Sequence, residues 1–180
     1  IVENSQLSAN SISECLERLN EIDMLKYDKE SQQVLVLYPL SSIPCPHQVH
    51  LKGEKSVYAM WAGGAIAVPI VYGAGTEAHI TSICTHCHQP ITFGMEINEE
   101  GTIGIGEQIP LLREWDPLPT KEDRSFPHFI DHFWLRVHFF CSEEHFKEWK
   151  DSRPDERGFL ITFEQSVSIC RTFYGNFFDF

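Results

Sequence analysis

Cys84-Thr85-His86-Cys87 and, far downstream, Phe139-Phe140-Cys141-Ser142-Glu143-Glu144-His145 are the two pieces on which the reading of this chain turns. A Cys-x-x-Cys turn supplies two thiolates. Cys-x-x-x-His at a helix start supplies a third thiolate and an imidazole, and together they make the Cys3His donor set that structural zinc prefers. Ser142 is a good N-cap, and Glu143 and Glu144 suit the first turn of a helix running through Phe146 and Trp149. His145 then stands one turn after Cys141, with both donors on one side. Zinc at Cys84, Cys87, Cys141 and His145 would clamp the central hairpin to that helix. Two other readings stand beside it: Cys-x-x-Cys alone suits a redox dithiol, and the four residues can also be three buried thiols and a surface histidine. His88 stands where a zinc knuckle often has glycine.

The 180 residues are enough for one core, or for a small module leaning on a larger one. Fourteen basic against 26 acidic side chains give a net charge of −12, which repels a phosphate backbone and argues against nucleic acid as a partner. No apolar run reaches the length of a membrane span, so no membrane partner is expected. Ile1 in the place of a Met leaves room for an upstream segment. The clustering of the six cysteines fits metal binding in a reducing cytoplasm better than disulfides.

From Ser11 to Leu25 the apolar residues Ile12, Leu16, Leu19, Ile22 and Leu25 recur at helical spacing between acids. A polar turn at Lys26 to Glu30 and a strand at Val34 to Tyr38 follow, the order of a winged helix, although a DNA-reading helix would carry bases where this one carries acids. Ser41 to Lys55, with Cys45, His47 and His50, reads as a loop. Tyr58 to Pro69 reads as a buried helix in which Gly63 and Gly64 admit close neighbours. Strands are expected at Ala78 to Ile83 and Ile91 to Ile97, a turn region over Asn98 to Gly106, and a long loop from Pro110 to Pro127. A buried strand is expected from Phe129 to Phe140, with His128 and His132 as core or rim residues. A strand at Phe159 to Thr162 precedes a helix bearing Phe173, Tyr174, Phe177 and Phe178.

The helix Tyr58-Ala59-Met60-Trp61-Ala62 to Pro69, the strand Ile80-Thr81-Ser82-Ile83-Cys84 and the segment Val137-His138-Phe139-Phe140 occur in an order that resembles the organomercurial (alkylmercury) lyase family over most of the chain. The Cys-x-x-Cys and Phe-Cys-Ser pieces also look like a treble-clef zinc site. The resemblance implies an α+β fold: a winged-helix-like segment over 1–40 and a lyase-like mixed core over 41–180. The family's chemistry needs two thiolates to grip mercury and a carboxylate to protonate the carbon. Its first cysteine and its acid fall on Trp61 and Gly64 here, and its second cysteine falls among Phe133, Trp134 and Leu135. The resemblance therefore carries the fold and not the activity.

What stands in the old site is a pocket expected to be lined by Met60, Trp61, Gly64 and Trp134. Two indoles suit a flat or apolar small molecule, and they also suit simple filling of a vacated cavity. Three functional readings follow: a zinc-stabilised lyase relative that binds or acts on a small molecule; a carbon-metal lyase or soft-metal handler using Cys84, Cys87 and Cys141; and a winged-helix regulator. A closed four-ligand centre separates the first from the second, because a reactive metal site keeps an open position.

Overall fold

Antiparallel pairing between distant segments builds this fold. The computed structural model describes residues 8–53, 56–107, 109–125 and 131–175. Helix α1 (Ala9–Glu21) is capped by Ser8, whose hydroxyl accepts from the Ser11 backbone N–H. It ends before Leu25, which the sequence pattern had included. Leu25 instead opens strand β1 (Leu25–Asp28), where it is buried and pairs with Leu37 of β2 (Gln33–Leu37). The expected polar turn is thus half strand, because one inward leucine fixes the register of the hairpin.

Strands β3 (Leu40–Ser41), β4 (His47–Leu51) and β5 (Val57–Ala59) come next, then helix α2 (Ala62–Tyr72), β6 (Glu77–Ile83), β7 (Pro90–Asn98) and β8 (Gly101–Ile105). The eight strands form one antiparallel sheet in the order β1-β2-β3-β5-β4-β6-β7-β8. The expected loop at Ser41 to Lys55 and the expected turn region at Asn98 to Gly106 each contain a strand of this sheet. In β4, Val49 and Leu51 alternate inward between the histidines, a period of two that the Pro, Ser and His composition around it obscured. In the Asn98–Gly106 region, a tight turn held by Asn98 Oδ1, which accepts from the N–H groups of Glu100 and Gly101, sends the chain straight back as β8.

The expected Tyr58–Pro69 helix divides: its first residues pair as β5, and α2 runs on through Pro69 to Tyr72. Proline inside a helix removes one backbone bond, and the burial of Ile66, Val68 and Ile70 outweighs that loss. From Ala62 to Ile70 every residue of α2 is buried, against the large sheet and against helix α4 (Phe163–Tyr174).

The expected Pro110–Pro127 loop contains β9 (Arg113–Pro117), the middle strand of a second sheet ordered β10-β9-β11, with β10 (His138–Phe140) and β11 (Gly158–Thr162). Both of its partners lie far along the chain, so no local turn signal marks it. The long strand expected from Phe129 shrinks to β10, preceded by a 3-10 turn at Trp134–Arg136. His128 and Phe129 lie outside the described residues, as do Phe177 and Phe178. Helix α3 (Glu143–Asp151) follows β10, as expected.

Buried Asp123 holds the connection from β9 to the turn that carries Trp134. It accepts from the backbone N–H and hydroxyl of Thr120, from His132 and, at 2.6 Å, from Arg136. Burial by itself would raise its pKa, but these donors together hold it at about 2. Asp123→Asn keeps the shape and removes the charge, and should cost about 2 kcal/mol, the worth of hydrogen bonds to a charged group. Denaturant unfolding should show the midpoint fall; an unchanged midpoint would show that the connection does not need the charge.

Candidate metal centre and aromatic cavity

The tip of the β6–β7 hairpin brings in the first two donors. Cys84 N–H donates to Gln89 O, His88 N–H returns to Cys84 O, and Thr85 N–H donates to Phe139 O, which ties the turn to β10. His88 sits at a φ of 58°, the left-handed conformation that glycine adopts without strain, which is why a glycine is common there. The other two donors come from the start of α3. Ser142 caps that helix by accepting the backbone N–H of His145, so the cap itself fixes the position of the imidazole. Phe140 and Trp149 pack at 5.2 Å and Trp115 lies against Phe146 at 5.4 Å, holding α3 in place by apolar contact.

Cys84, Cys87, Cys141 and His145 thus converge, with all four donor atoms within 4.8 Å of one another. Cys87 and Cys141 Sγ are 3.8 Å apart, and Cys84 Sγ and Cys141 Sγ lie 3.9 Å and 3.0 Å from His145 Nδ1. Zinc–sulfur bonds of about 2.3 Å in a tetrahedron place sulfurs about 3.8 Å apart. The donors therefore stand where a tetrahedral ion would draw them. Their electrostatics agree. Burial opposes ionisation of Cys84, but the N–H groups of Cys87, Cys141 and His86 outweigh it and bring the thiol to about 7. Cys141 is pushed up to about 12 by burial and by its bonds and charge interaction with Cys84 and Cys87. Three clustered thiols resist losing three protons, and a dication at their centre reverses that balance.

Trp61 and Trp134 stack with centroids 4.4 Å apart. Trp134 Nε1 donates to Tyr38 Oη at 2.9 Å, and the Tyr38 ring stands edge-on to Trp61. On one side of the stack is a cavity of about 490 Å³ shared by both indoles. Met60 lies instead on a second cavity of about 410 Å³, to which both indoles also contribute. Gly64 faces the Trp61 ring, 3.2 Å from where a Cβ would stand. The neighbours that the two glycines admit are the Trp61 indole and the Pro39 carbonyl at Gly64 and the Glu114 carboxyl at Gly63. Cys45, His47 and His50 do not converge; His47 bonds Ser82 and His50 bonds Ser56.

The larger cavity also receives Glu114 and Asp116 from β9, and Ser166 and Cys170 from α4, none of which the sequence reading singled out. Glu114 and Asp116 sit on alternate residues of a short run centred on Trp115, a period-two signal hidden inside a segment read as loop. Ser166 Oγ donates to Glu114. Burial, then the nearby Asp116 charge, raises Glu114 to about 8, and burial raises Asp116 to about 6. Burial and Glu114 together push the Cys170 thiol far above its ordinary value.

These features define a protein with the organomercurial-lyase fold and a Cys3His centre able to hold a metal ion. Among solved structures, the mercury-bound form of MerB2 is similar at a TM-score of 0.69 and 20% identity, over 97% of this chain and 77% of that one. The likeness is one of fold. No family model and no curated protein matches the chain. Among the described residues, no helix is long and apolar enough to cross a membrane.

A carboxyl whose folded-state value is raised contributes stability below its ordinary value of 4.5, and that contribution is lost as pH rises through about 8. Thermal unfolding of the wild type should therefore shift down from pH 5 to pH 8 by several degrees more than that of Glu114→Gln, which stays neutral. Parallel shifts in the two proteins would show that Glu114 ionises as an ordinary surface acid.

Proposed function

We propose that this chain is a zinc-stabilised, divergent protein of the organomercurial-lyase fold whose aromatic cavity binds a small molecule and which does not cleave carbon–mercury bonds. The observation that carries the proposal is the Trp61–Trp134 stack, standing where the family resemblance puts a thiolate on one side and its second thiolate on the other. An indole cannot hold mercury, and Gly64, at the acid's position, cannot deliver a proton. Cys170 is the one thiol among the described residues lining the larger cavity, and its raised pKa keeps it protonated and poorly nucleophilic. Cys84, Cys87 and Cys141 line neither wall of that cavity. Their geometry supports a closed structural centre in a treble-clef-like setting.

At that centre Cys84, Cys87, Cys141 and His145 would hold Zn2+, which joins the hairpin tip to α3 and does no chemistry on a substrate. A cluster of thiolate donors of this kind suits a reducing, cytoplasmic setting. Residues 1–40 supply a winged-helix-like packing segment, and 41–180 the lyase-like core. The exposed Glu14, Glu17 and Glu21 on α1 support an absence of nucleic-acid binding.

Purified protein should contain one zinc per chain by elemental analysis. Cys87→Ser should lose that zinc and much of its thermal stability, since structural zinc binding is coupled to folding. Metal-free protein with undiminished stability, or a Cys84–Cys87 disulfide, would overturn the zinc assignment. Methylmercury or phenylmercury incubated with the protein and excess thiol should release no methane or benzene above background. Turnover at many equivalents, lost in Cys84→Ser, would establish the alternative, a lyase working through displaced thiols.

A further inference from the structure

The larger cavity combines an apolar aromatic wall with two acids that have no cation beside them among the described residues. Glu114 and Asp116 emerge from the same side of β9. Glu114 is 4% exposed and its carboxyl accepts from Ser166. Asp116 has no side-chain hydrogen bond or ion pair among the described residues. No Lys, Arg or His lines the cavity among those residues. The nearest basic side chain in sequence, Arg113, is directed to Glu143 at 3.7 Å. The other titratable groups facing the acids are Cys170 and Tyr174 from α4 and Tyr38 from the segment after β2, all three neutral because burial raises them. A buried acid such as Glu114 is ordinarily paired with a cation, and here it and the half-buried Asp116 share a cavity with the Trp61, Trp134, Tyr38 and Phe133 rings.

We propose that this cavity binds a compact organic cation, a protonated amine or quaternary ammonium on an apolar body, with Glu114 and Asp116 as counter-ion and the aromatic rings as walls. The proposal rests on the small-molecule reading given above and supplies its ligand class. Aromatic faces attract a cation through their quadrupole, more strongly where water is excluded. The carboxyls offset the cost of bringing the charge out of water. An inorganic divalent ion fits poorly: calcium and magnesium take six or more oxygen ligands, and apart from these two carboxyls the lining is chiefly apolar. An entering cation favours the ionised form of both acids. Protons then leave the pair, and affinity rises with pH.

The test uses the full chain with zinc content checked, and two probes of nearly equal shape, 4-phenylbutylammonium and the neutral 4-phenyl-1-butanol, followed by isothermal titration calorimetry. The ammonium should bind at least tenfold tighter than the alcohol at pH 8, and at least threefold more weakly at pH 6 than at pH 8. Titrations in buffers of different ionisation enthalpy should show protons released. Glu114→Gln and Asp116→Asn, confirmed folded by thermal unfolding and zinc content, should each weaken the ammonium at least tenfold while leaving the alcohol within twofold. Equal binding of alcohol and ammonium would overturn the cation assignment and leave the small-molecule reading standing. Binding of neither probe would overturn both. Tight ammonium binding untouched by both variants would place the cation elsewhere and overturn this site.

Discussion

A helix with no polar face must be covered on every side, and α2 imposes that constraint on the rest of the molecule. From Ala62 to Ile70 it offers water nothing, so the large sheet closes over one flank and α4 over another. Small residues at its start let the cover come close. Gly63 leaves room for a carboxyl from the second sheet, and Gly64 for the ring of the helix's own N-cap residue, Trp61. The site is therefore assembled at the one end of α2 where backbone bulk is least. Its occupants come from β9, α4 and the turn before β10: α4 packs on α2, and β9 contacts both α4 and that turn.

The Cys3His cluster answers a different problem, that of joining two pieces of chain with little shared apolar surface. The hairpin tip touches β10 through one backbone bond, Thr85 to Phe139. Beyond that, the contact is polar: His86 Nε2 lies 2.8 Å from Glu148 Oε2 of α3, and three sulfurs and an imidazole stand together, competing for protons when no cation lies between them. The raised Cys141 thiol is a sign of that competition, while backbone N–H donors lower the Cys84 thiol. Apolar packing by Phe146 and Trp149 holds α3 independently of the donors, which stand spaced for a tetrahedral ion. Metal binding to a preformed constellation loses less ordering entropy than metal binding to a loose one.

Much of the metal centre was legible because its pieces are local. The knuckle lies within one turn, Cys141 and His145 within one helical turn, and Ser142 announces the helix start. Strands β6 and β7 and helix α4 were legible through their periodicity. The aromatic cavity was legible only in half. Trp61 and Trp134 were found through resemblance to a family in which other residues occupy those positions. Glu114 and Asp116 were not found, because β9 pairs with β10 and β11 across long stretches of chain and four prolines between Pro110 and Pro127 gave it the composition of a loop. Sheet strands whose partners are distant carry their signal in burial, and burial is not written in composition. Met60 stands on the smaller cavity, which it shares with both indoles, and not on the larger one with the acids.

A buried carboxyl beside a half-buried one is a poor way to stabilise a fold, since the Asp116 charge raises the cost of ionising Glu114 and a hydrophobic replacement would pack at least as well. Glu114 has one hydroxyl to relieve it and Asp116 has no bond at all among the described residues. A chain selected only to fill the space between α2 and α4 would have placed Leu or Met at those positions. Filling alone accounts for the stacked indoles, which gain contact area and a hydrogen bond to Tyr38. It does not account for two acids in the same cavity. Structural cost without structural return is what binding sites display when empty, because the missing energy is supplied by the ligand. By that criterion the indoles would set the shape, and the carboxyls the charge, of the proposed ligand.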